Sequence, residues 1–318
     1  MHPAAAEEEP EVISSAPSGP SGVFAAALTP IHDDLAPDVA GLVTHCRWLL
    51  ANGCDGVAPL GTTGEATSFS LSERIDLVEA LADSGIPGER LIIGTGSPAF
   101  TETVELTRRA VAIGAAGALV LPPYYFKNPS EDGLFAFFSE VIQRVGSTKL
   151  RLYLYHFPQM SAVPIGIGLI ERLMAHYPDV IAGAKDSSGD LGNMIAMAHI
   201  PHFRVFSGTE RLLLPALEAG CVGCITAGAN VIAPITGRLY RAWRQSGAST
   251  ETKRLQEEVS RQRLLLDGFS MIPGMKAMLA RRFNLPQWRN VRPPSVRLSA
   301  AEEAALFCKL DEAGIKIP

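Results

Sequence analysis

Lysine is scarce in this chain. Seven lysines stand beside 21 arginines, and acidic residues outnumber the two together, 33 against 28. The resulting net charge of −5 offers no basic groove for nucleic acid. No apolar run approaches the roughly 18 residues of a membrane-spanning helix. The five cysteines are odd in number, which suits reduced thiols in a cytoplasm rather than a disulfide framework. Cys46, Cys54 and Cys308 are scattered. Cys221 and Cys224 form a Cys-x-x-Cys in an Ala/Gly/Val stretch. No second pair accompanies it, so core packing is read ahead of zinc or redox chemistry. The first residues include Glu7, Glu8 and Glu9 and turn to Ser, Pro and Gly as far as Gly22. They lack the basic start and apolar stretch of a signal peptide. Residues 1–21 are therefore expected to be a disordered tail, and the protein cytoplasmic.

What the sequence does have is a repeating unit. Short apolar runs at Val23–Leu28, Gly56–Leu60, Leu91–Gly94, Gly117–Leu121, Leu150–His156, Val180–Ala184, Arg204–Ser207 and Gly223–Ala227 read as eight strands. Helical patterns fill the gaps, among them Leu35–Asn52, Ser72–Ser84, Asn193–His199 and Glu210–Ala219. Strands alternating with helices argue for a parallel sheet. Eight such units fit an α/β fold, a (β/α)8 TIM barrel, over residues 22–246; a doubly wound sheet is the structural alternative. Ala51–Gly56, Ile113–Gly117 and Ala219–Gly223 repeat a two-glycine signature before a strand, where the first glycine suits a left-handed helix cap. Residues 247–318 read as a C-terminal helical extension after a last barrel helix at Val231–Ser246. Its helices are expected at Glu251–Asp267, Met275–Phe283 and Ala300–Ala313.

Lys185 stands out against this background. The run Val180-Ile181-Ala182-Gly183-Ala184 ends in Lys185 and passes into Asp186-Ser187-Ser188-Gly189-Asp190. An amine at the end of an interior strand is desolvated, and burial disfavours an ammonium, which frees it to attack a carbonyl. A salt-bridged structural lysine is the alternative. Lys127, Lys149, Lys253, Lys276, Lys309 and Lys316 do not end apolar strands in this way.

Barrel enzymes carry their reacting groups at the C-terminal ends of the strands. Those ends hold Gly61-Thr62-Thr63-Gly64-Glu65, Pro123-Tyr124-Tyr125, Tyr155-His156-Phe157-Pro158, Lys185 and Ser207-Gly208-Thr209-Glu210. Together they supply an amine nucleophile, phenols and hydroxyls for proton transfer, and free N–H groups. His156 is the one histidine among them, so a metal ligand set would have to be carboxylates; neither metal nor cofactor is expected. The Gly61–Gly64 loop suits an anion such as a carboxylate, or serves as an ordinary βα loop. Glu65 reads as a pocket acid or a first-turn carboxylate facing the helix dipole. Tyr155 reads as a proton relay or as packing in a barrel layer.

Gly61-Thr62-Thr63-Gly64-Glu65, Pro123-Tyr124-Tyr125, Tyr155-x-x-Pro158 and Gly183-x-Lys185-Asp186-x-Ser188-Gly189-Asp190 stand in this order. The combination resembles the dihydrodipicolinate synthase / N-acetylneuraminate lyase family of pyruvate-dependent class I aldolases, from about Gly22 to the C-terminal helices. The resemblance implies that Lys185 forms a Schiff base with pyruvate or another 2-oxo acid. It implies that Tyr155 is the general acid and base. Thr62 and Thr63 would hold the carboxylate, with Thr63 also passing protons to Tyr155. Tyr125 would reach into a neighbouring subunit's site, which implies a homodimer or homotetramer.

Departures from the family pattern bear on the second substrate. Dihydrodipicolinate synthases carry an arginine two positions after Tyr-x-x-Pro, where it binds the carboxylate of aspartate semialdehyde. This chain has Met160 there, and a thioether cannot pair with a carboxylate. Arg211 is a substitute to consider. His156 replaces a usual asparagine, and Ala162 a common glycine. Gly208-Thr209-Glu210 sits where sialate lyases bind sugar hydroxyls. Glu210 should accept hydrogen bonds from a polyol and repel a dicarboxylate. The expected small-molecule substrates are therefore pyruvate and a neutral, hydroxylated aldehyde, and the expected activity is that of a 2-keto-3-deoxy sugar acid aldolase or dehydratase. The alternatives are 4-hydroxy-tetrahydrodipicolinate synthase, a non-catalytic 2-oxo acid binder, and a phosphate-handling barrel.

Overall fold

A computed structural model describes residues 19–315; the expected tail lies outside the described residues as far as position 18. The strands are β1 Gly22–Ala25, β2 Gly56–Val57, β3 Ile92–Gly94, β4 Gly117–Val120, β5 Leu152–His156, β6 Ile181–Asp186, β7 Arg204–Ser207 and β8 Gly223–Thr226. They form one parallel sheet in the order β2-β1-β8-β7-β6-β5-β4-β3, and a parallel bridge between Val57 and Leu91 joins its two ends. That closure makes a (β/α)8 TIM barrel and excludes the doubly wound alternative, whose sheet has free edges.

Several strands stop earlier than the apolar runs do. Ala26–Leu28 and Ala58–Leu60 stay buried beyond the ends of β1 and β2 at the barrel mouth. Ala26 N–H still donates to the Thr226 carbonyl and Ala27 N–H to the Ala58 carbonyl, so the apolar runs outlast the regular strands rather than the pairing. The reverse holds in β6, which runs through the polar Lys185 to Asp186. Gly183 is required by the barrel, because a Cβ there would collide with the Arg204 carbonyl of β7.

The helices are α1 Val39–Ala51, α2 Leu71–Asp83, α3 Phe100–Ala112, α4 Glu131–Val145, the single turn α5 Pro158–Ser161, α6 Ile167–His176, α7 Leu191–Ala198, α8 Leu213–Glu218, α9 Ala229–Ser246, α10 Thr250–Leu264, α11 Met271–Phe283 and α12 Ala300–Glu312. The first begins later than its apolar pattern, since Leu35 is left-handed and the Asp38 carboxylate caps Gly41 N–H. The pattern at Glu210–Ala219 divides into a 3-10 turn, Glu210–Leu212, and α8. Pro215 has no N–H to donate, so it suits the first turn of the new helix.

Phe24, Ile92, Leu119, Tyr153, Phe206 and Ile225 fill the barrel interior, with Phe24 and Phe206 edge to face at 5.5 Å. The C-terminal helices do not build a core of their own. Leu255, Val259, Met275, Met278 and Leu306 belong to the same apolar cluster as Val23 and Val57 of the barrel. At the opposite end of the barrel, Gly19–Ser21 depart from the expected tail. Arg204 donates to the carbonyls of Gly19 at 3.0 Å and Pro20 at 2.8 Å, which ties this stretch to β7.

Candidate active site

Tyr155 and Lys185 are register partners on β5 and β6, and Phe206 of β7 partners Lys185 on its other side. Side chains alternate along a strand, so these three leave on the same face, into the barrel. Lys185 is 4% exposed. Its Nζ donates to Tyr155 Oη at 3.1 Å. Thr62 Oγ1 stands 3.4 Å from the same phenol oxygen, and Ser187 lines the same cavity. Burial pushes the Tyr155 phenol up, but the Lys185 charge and the polar groups of Thr62, Lys185 and Ser187 outweigh it. The phenol is held below its ordinary value of 10.0.

A cavity of about 610 Å³ opens above this pair. Thr62, Thr63, Lys185 and Gly208 line it, and the C-terminal extension closes its far wall with Arg263, Met271 and Pro294–Val296. A smaller cavity of about 200 Å³ shares Thr62, Tyr155 and Met160 and adds Gly61 and Tyr124. Among the described residues, the N–H groups of Thr62 and Thr63 have no protein acceptor. They are donors available to a carboxylate beside the Lys185 amine.

Several expected site residues fall elsewhere. His156 follows Tyr155 on the strand and so points outward. It is buried behind the barrel wall, where Nδ1 accepts the Ile165 N–H at 3.1 Å, and it lines neither cavity. The hydroxyl within reach of Tyr155 belongs to Thr62; Thr63 lines the cavity without bonding the phenol. Glu65 is neither a pocket acid nor a first-turn carboxylate. It lies in a left-handed turn and pairs with buried Lys276, while the first-turn acid of α2 is Glu73 in a capping box with Ser70. Tyr125 is 75% exposed and lines neither cavity of its own chain. Met160, 59% exposed, lies on the rim of both.

Glu210 lines the cavity yet is only 2% exposed. Burial pushes its carboxyl above the usual 4.5, against the pull of Arg263. Arg263 Nε is 3.4 Å from Glu210 Oε1, and Arg263 Nη1 donates to Asp267 at 2.8 Å. A Cβ on Gly228 would collide with the Glu210 carboxylate, and one on Gly208 with the Ser187 hydroxyl. The Glu210–Arg263 contact was not legible from the strand ends, because Arg263 comes from α10, outside the barrel repeat. Arg211, the substitute weighed from the sequence, faces Asp267 at 3.7 Å and lines neither cavity. Cys221 and Cys224 are both buried free thiols; burial pushes Cys221 up to about 12 and Cys224 well above its ordinary value. No three His, Cys, Asp or Glu side chains converge among the described residues.

A TIM barrel with a buried amine and phenol in contact at the C-terminal ends of adjacent strands is the architecture of a class I aldolase. The Dihydrodipicolinate synthetase family model matches residues 19–313. An uncharacterized DapA-like lyase of Chloroflexus aurantiacus is 36% identical over 90% of this chain and 95% of that protein. Dihydrodipicolinate synthase from Agrobacterium tumefaciens superposes with a TM-score of 0.82 at 29% identity, over 92% of this chain and 99% of the other. YagE, a prophage protein of that family from E. coli K12 solved in complex with pyruvate, gives 0.85 at 25% identity, over 93% and 99%. The chain belongs to the dihydrodipicolinate synthase family and is a lyase of its class.

Proposed function

We propose that Lys185 passes its ammonium proton to the Tyr155 phenolate and attacks the keto carbon of pyruvate or a related 2-oxo acid. The carbinolamine loses its hydroxyl as water, taking that proton back from Tyr155, to give a protonated imine, with the substrate carboxylate on the Thr62 and Thr63 N–H groups. The protonated imine withdraws electrons from the neighbouring carbon, so Tyr155 can remove a proton there and return it. The resulting enamine carbon attacks an aldehyde, whose oxygen takes up a proton; cleavage runs the same steps backwards. The contact of Lys185 with Tyr155 inside the cavity carries this reading.

We assign the second substrate to the neutral, hydroxylated aldehydes, making the protein a 2-keto-3-deoxy sugar acid aldolase or a related dehydratase. Met160 supplies no cation at the rim. Glu210 and Arg263 present an acceptor beside a donor, the pairing that suits hydroxyl groups. A phosphate at β7 and β8 would face the Glu210 carboxylate. Arg263 does favour one alternative, 4-hydroxy-tetrahydrodipicolinate synthase, because its guanidinium is a second cation in the cavity wall, beside Lys185, from which a semialdehyde carboxylate could be held. A binder that has lost the reaction would not need the Lys185, Tyr155 and Thr62 contacts. We further assign Tyr125 to the site of a second copy, as its exposure beside Phe126 suggests, and the protein to the cytoplasm, where unpaired cysteines persist.

Borohydride reduction with pyruvate and peptide mass mapping tests the imine. An adduct on Lys185 is expected; its absence from folded protein sinks the reading. Assays of 2-keto-3-deoxygluconate cleavage and of aspartate semialdehyde condensation then separate the two substrate classes. Condensation without cleavage would reverse the assignment.

A further inference from the structure

Two lysines are buried among the described residues, Lys185 and Lys276. Lys276, on α11, donates to Glu65 Oε1 and to the Asn290 carbonyl, the latter at 2.8 Å. The second oxygen of Glu65 accepts the Arg292 N–H at 3.0 Å. Asn290 donates in turn to the Ile31 carbonyl at 2.9 Å. One buried ion pair thus ties the C-terminal extension to the loops that follow β1 and β2.

Glu65 is the residue next to the Gly61–Gly64 loop. Its φ of 57° lies in the left-handed region that non-glycine residues rarely adopt. Its N–H donates to the Thr62 carbonyl at 3.1 Å, so the place of Glu65 fixes the place of Thr62. Thr62 Oγ1 stands 3.4 Å from the Tyr155 oxygen, at the outer edge of O–H···O reach. A shift of a few tenths of an ångström therefore makes or breaks that contact. A buried ion pair is weak evidence for stability in itself, which leaves geometry as its use.

We propose that Glu65 and Lys276 are positioning residues, holding the β2–α2 loop so that Thr62 meets Tyr155. This rests on the imine reading above. The C-terminal extension then sets the proton-transfer geometry of the barrel without touching substrate through this pair.

The test uses the full chain and two variants. Glu65→Gln combined with Lys276→Met removes both charges and leaves neither unpaired. Glu65→Asp keeps the charge and shortens the arm. Folding is followed by circular dichroism, imine formation by borohydride-trapped pyruvate on Lys185, and proton transfer by deuterium exchange into the pyruvate methyl group. In a folded variant at saturating pyruvate, trapping should stay within about twofold of wild type while exchange slows about tenfold or more. The rise of exchange with pH should move upward, as in Thr62→Val, and Thr62→Val added to Glu65→Asp should slow it no further. Unchanged exchange, additive slowing, or exchange and trapping falling together with the folded fraction would overturn the proposal. So would loss of folding in both variants, which makes the pair a stability element. Wild-type protein that gives no adduct fails the imine reading itself, and this proposal with it; wild-type trapping with unchanged variants fails only the positioning role.

Discussion

Lys185 Nζ lies 3.1 Å from Tyr155 Oη and 4.3 Å from the centre of the Tyr155 ring. The amine therefore sits over the edge of the phenol, in reach of its oxygen. An imine formed there places the carbon next to it beside the same oxygen. Lys185→Met should abolish pyruvate trapping. Tyr155→Phe should still trap pyruvate but exchange its methyl protons about a hundredfold more slowly, because the relay is lost and the nucleophile kept. Mass mapping and proton exchange on the two variants check this. Equal loss of trapping in both would mean that Tyr155 serves imine formation instead.

The pH dependence follows from the same contact. The Thr62 hydrogen bond favours the phenolate and helps to hold the Tyr155 phenol below its ordinary value. Exchange that needs the phenolate rises as pH passes through that value. Removing the hydroxyl in Thr62→Val takes away one stabiliser of the charged form, so the rise should move to higher pH. A pH–rate profile of methyl exchange measures the displacement. A profile that stays in place would separate Thr62 from the relay.

Met160 sits on the rim of both cavities, where the family's carboxylate-binding arginine would be. Met160→Arg should raise kcat/KM for aspartate semialdehyde at least about tenfold, since a charge-assisted bidentate bond contributes about 1.5–3 kcal/mol. Sugar acid cleavage should fall. Parallel assays of the two substrates check the direction. A variant that gains nothing would place the second substrate's far end away from Met160.

Arg263 is the counter-charge of a fully buried carboxylate. Arg263→Met leaves Glu210 alone and should cost about 3 kcal/mol at neutral pH. The Glu210 carboxyl is raised above 4.5 in the folded state already, and losing Arg263 raises it further. A raised carboxyl contributes stability below its unfolded value that is lost as pH rises through the folded one. The penalty should therefore shrink as pH falls towards 4.5, and Glu210→Gln in the same variant should remove the pH dependence. Urea unfolding across that range measures both effects.

These residues also mark where the sequence was legible. Lys185 could be found because polar residues at the end of an apolar strand break a local pattern, and the barrel because its strands repeat. Arg263, from α10, carries no such mark: its partner Glu210 lies in another part of the chain, and only the docking of the extension joins them. Lys276 was equally hidden. An amine inside the apolar stretch Met275–Ala280 signals burial, but not that Glu65, some 211 residues away, is its partner. His156 lies outside both cavities for a simpler reason: adjacent strand positions face opposite sides, so Tyr155 and His156 cannot both enter the barrel.

Tyr125 tests the assembly. It lies outside both cavities of its own chain, so its assigned role requires a second copy. Lys185→Met and Tyr125→Phe proteins should each be nearly inactive alone. Mixed after dissociation and reassembly, they should recover activity, because a Lys185→Met subunit can lend Tyr125 to a partner that retains Lys185. Activity of the mixture against each parent reads this directly. No recovery, with mixed oligomers shown by mass, would confine Tyr125 to the surface.

His45 predicts how the fold responds to acid. Asn230 Nδ2 donates to the carbonyls of Ala26 and Ala227, both at 2.8 Å. That fixes the amide, so Asn230 Oδ1 must accept, and it accepts both Leu28 N–H and His45 Nε2. His45 therefore carries its proton on Nε2, and Nδ1 lies buried without a partner among the described residues, with the rings of Trp48 and Trp288 against the imidazole. Burial lowers His45 from 6.5 to about 4, against the hydrogen bond to Asn230. Below 6.5 the unfolded chain takes up a proton that the folded one refuses until about 4. Stability is thus present above 6.5 and lost as pH falls to about 4, by about 3 kcal/mol at 1.36 kcal/mol per unit. Urea midpoints between neutral pH and pH 4 should fall accordingly, and in His45→Gln this part of the decline should disappear. A decline of equal size in the variant would assign the acid sensitivity to carboxylates instead.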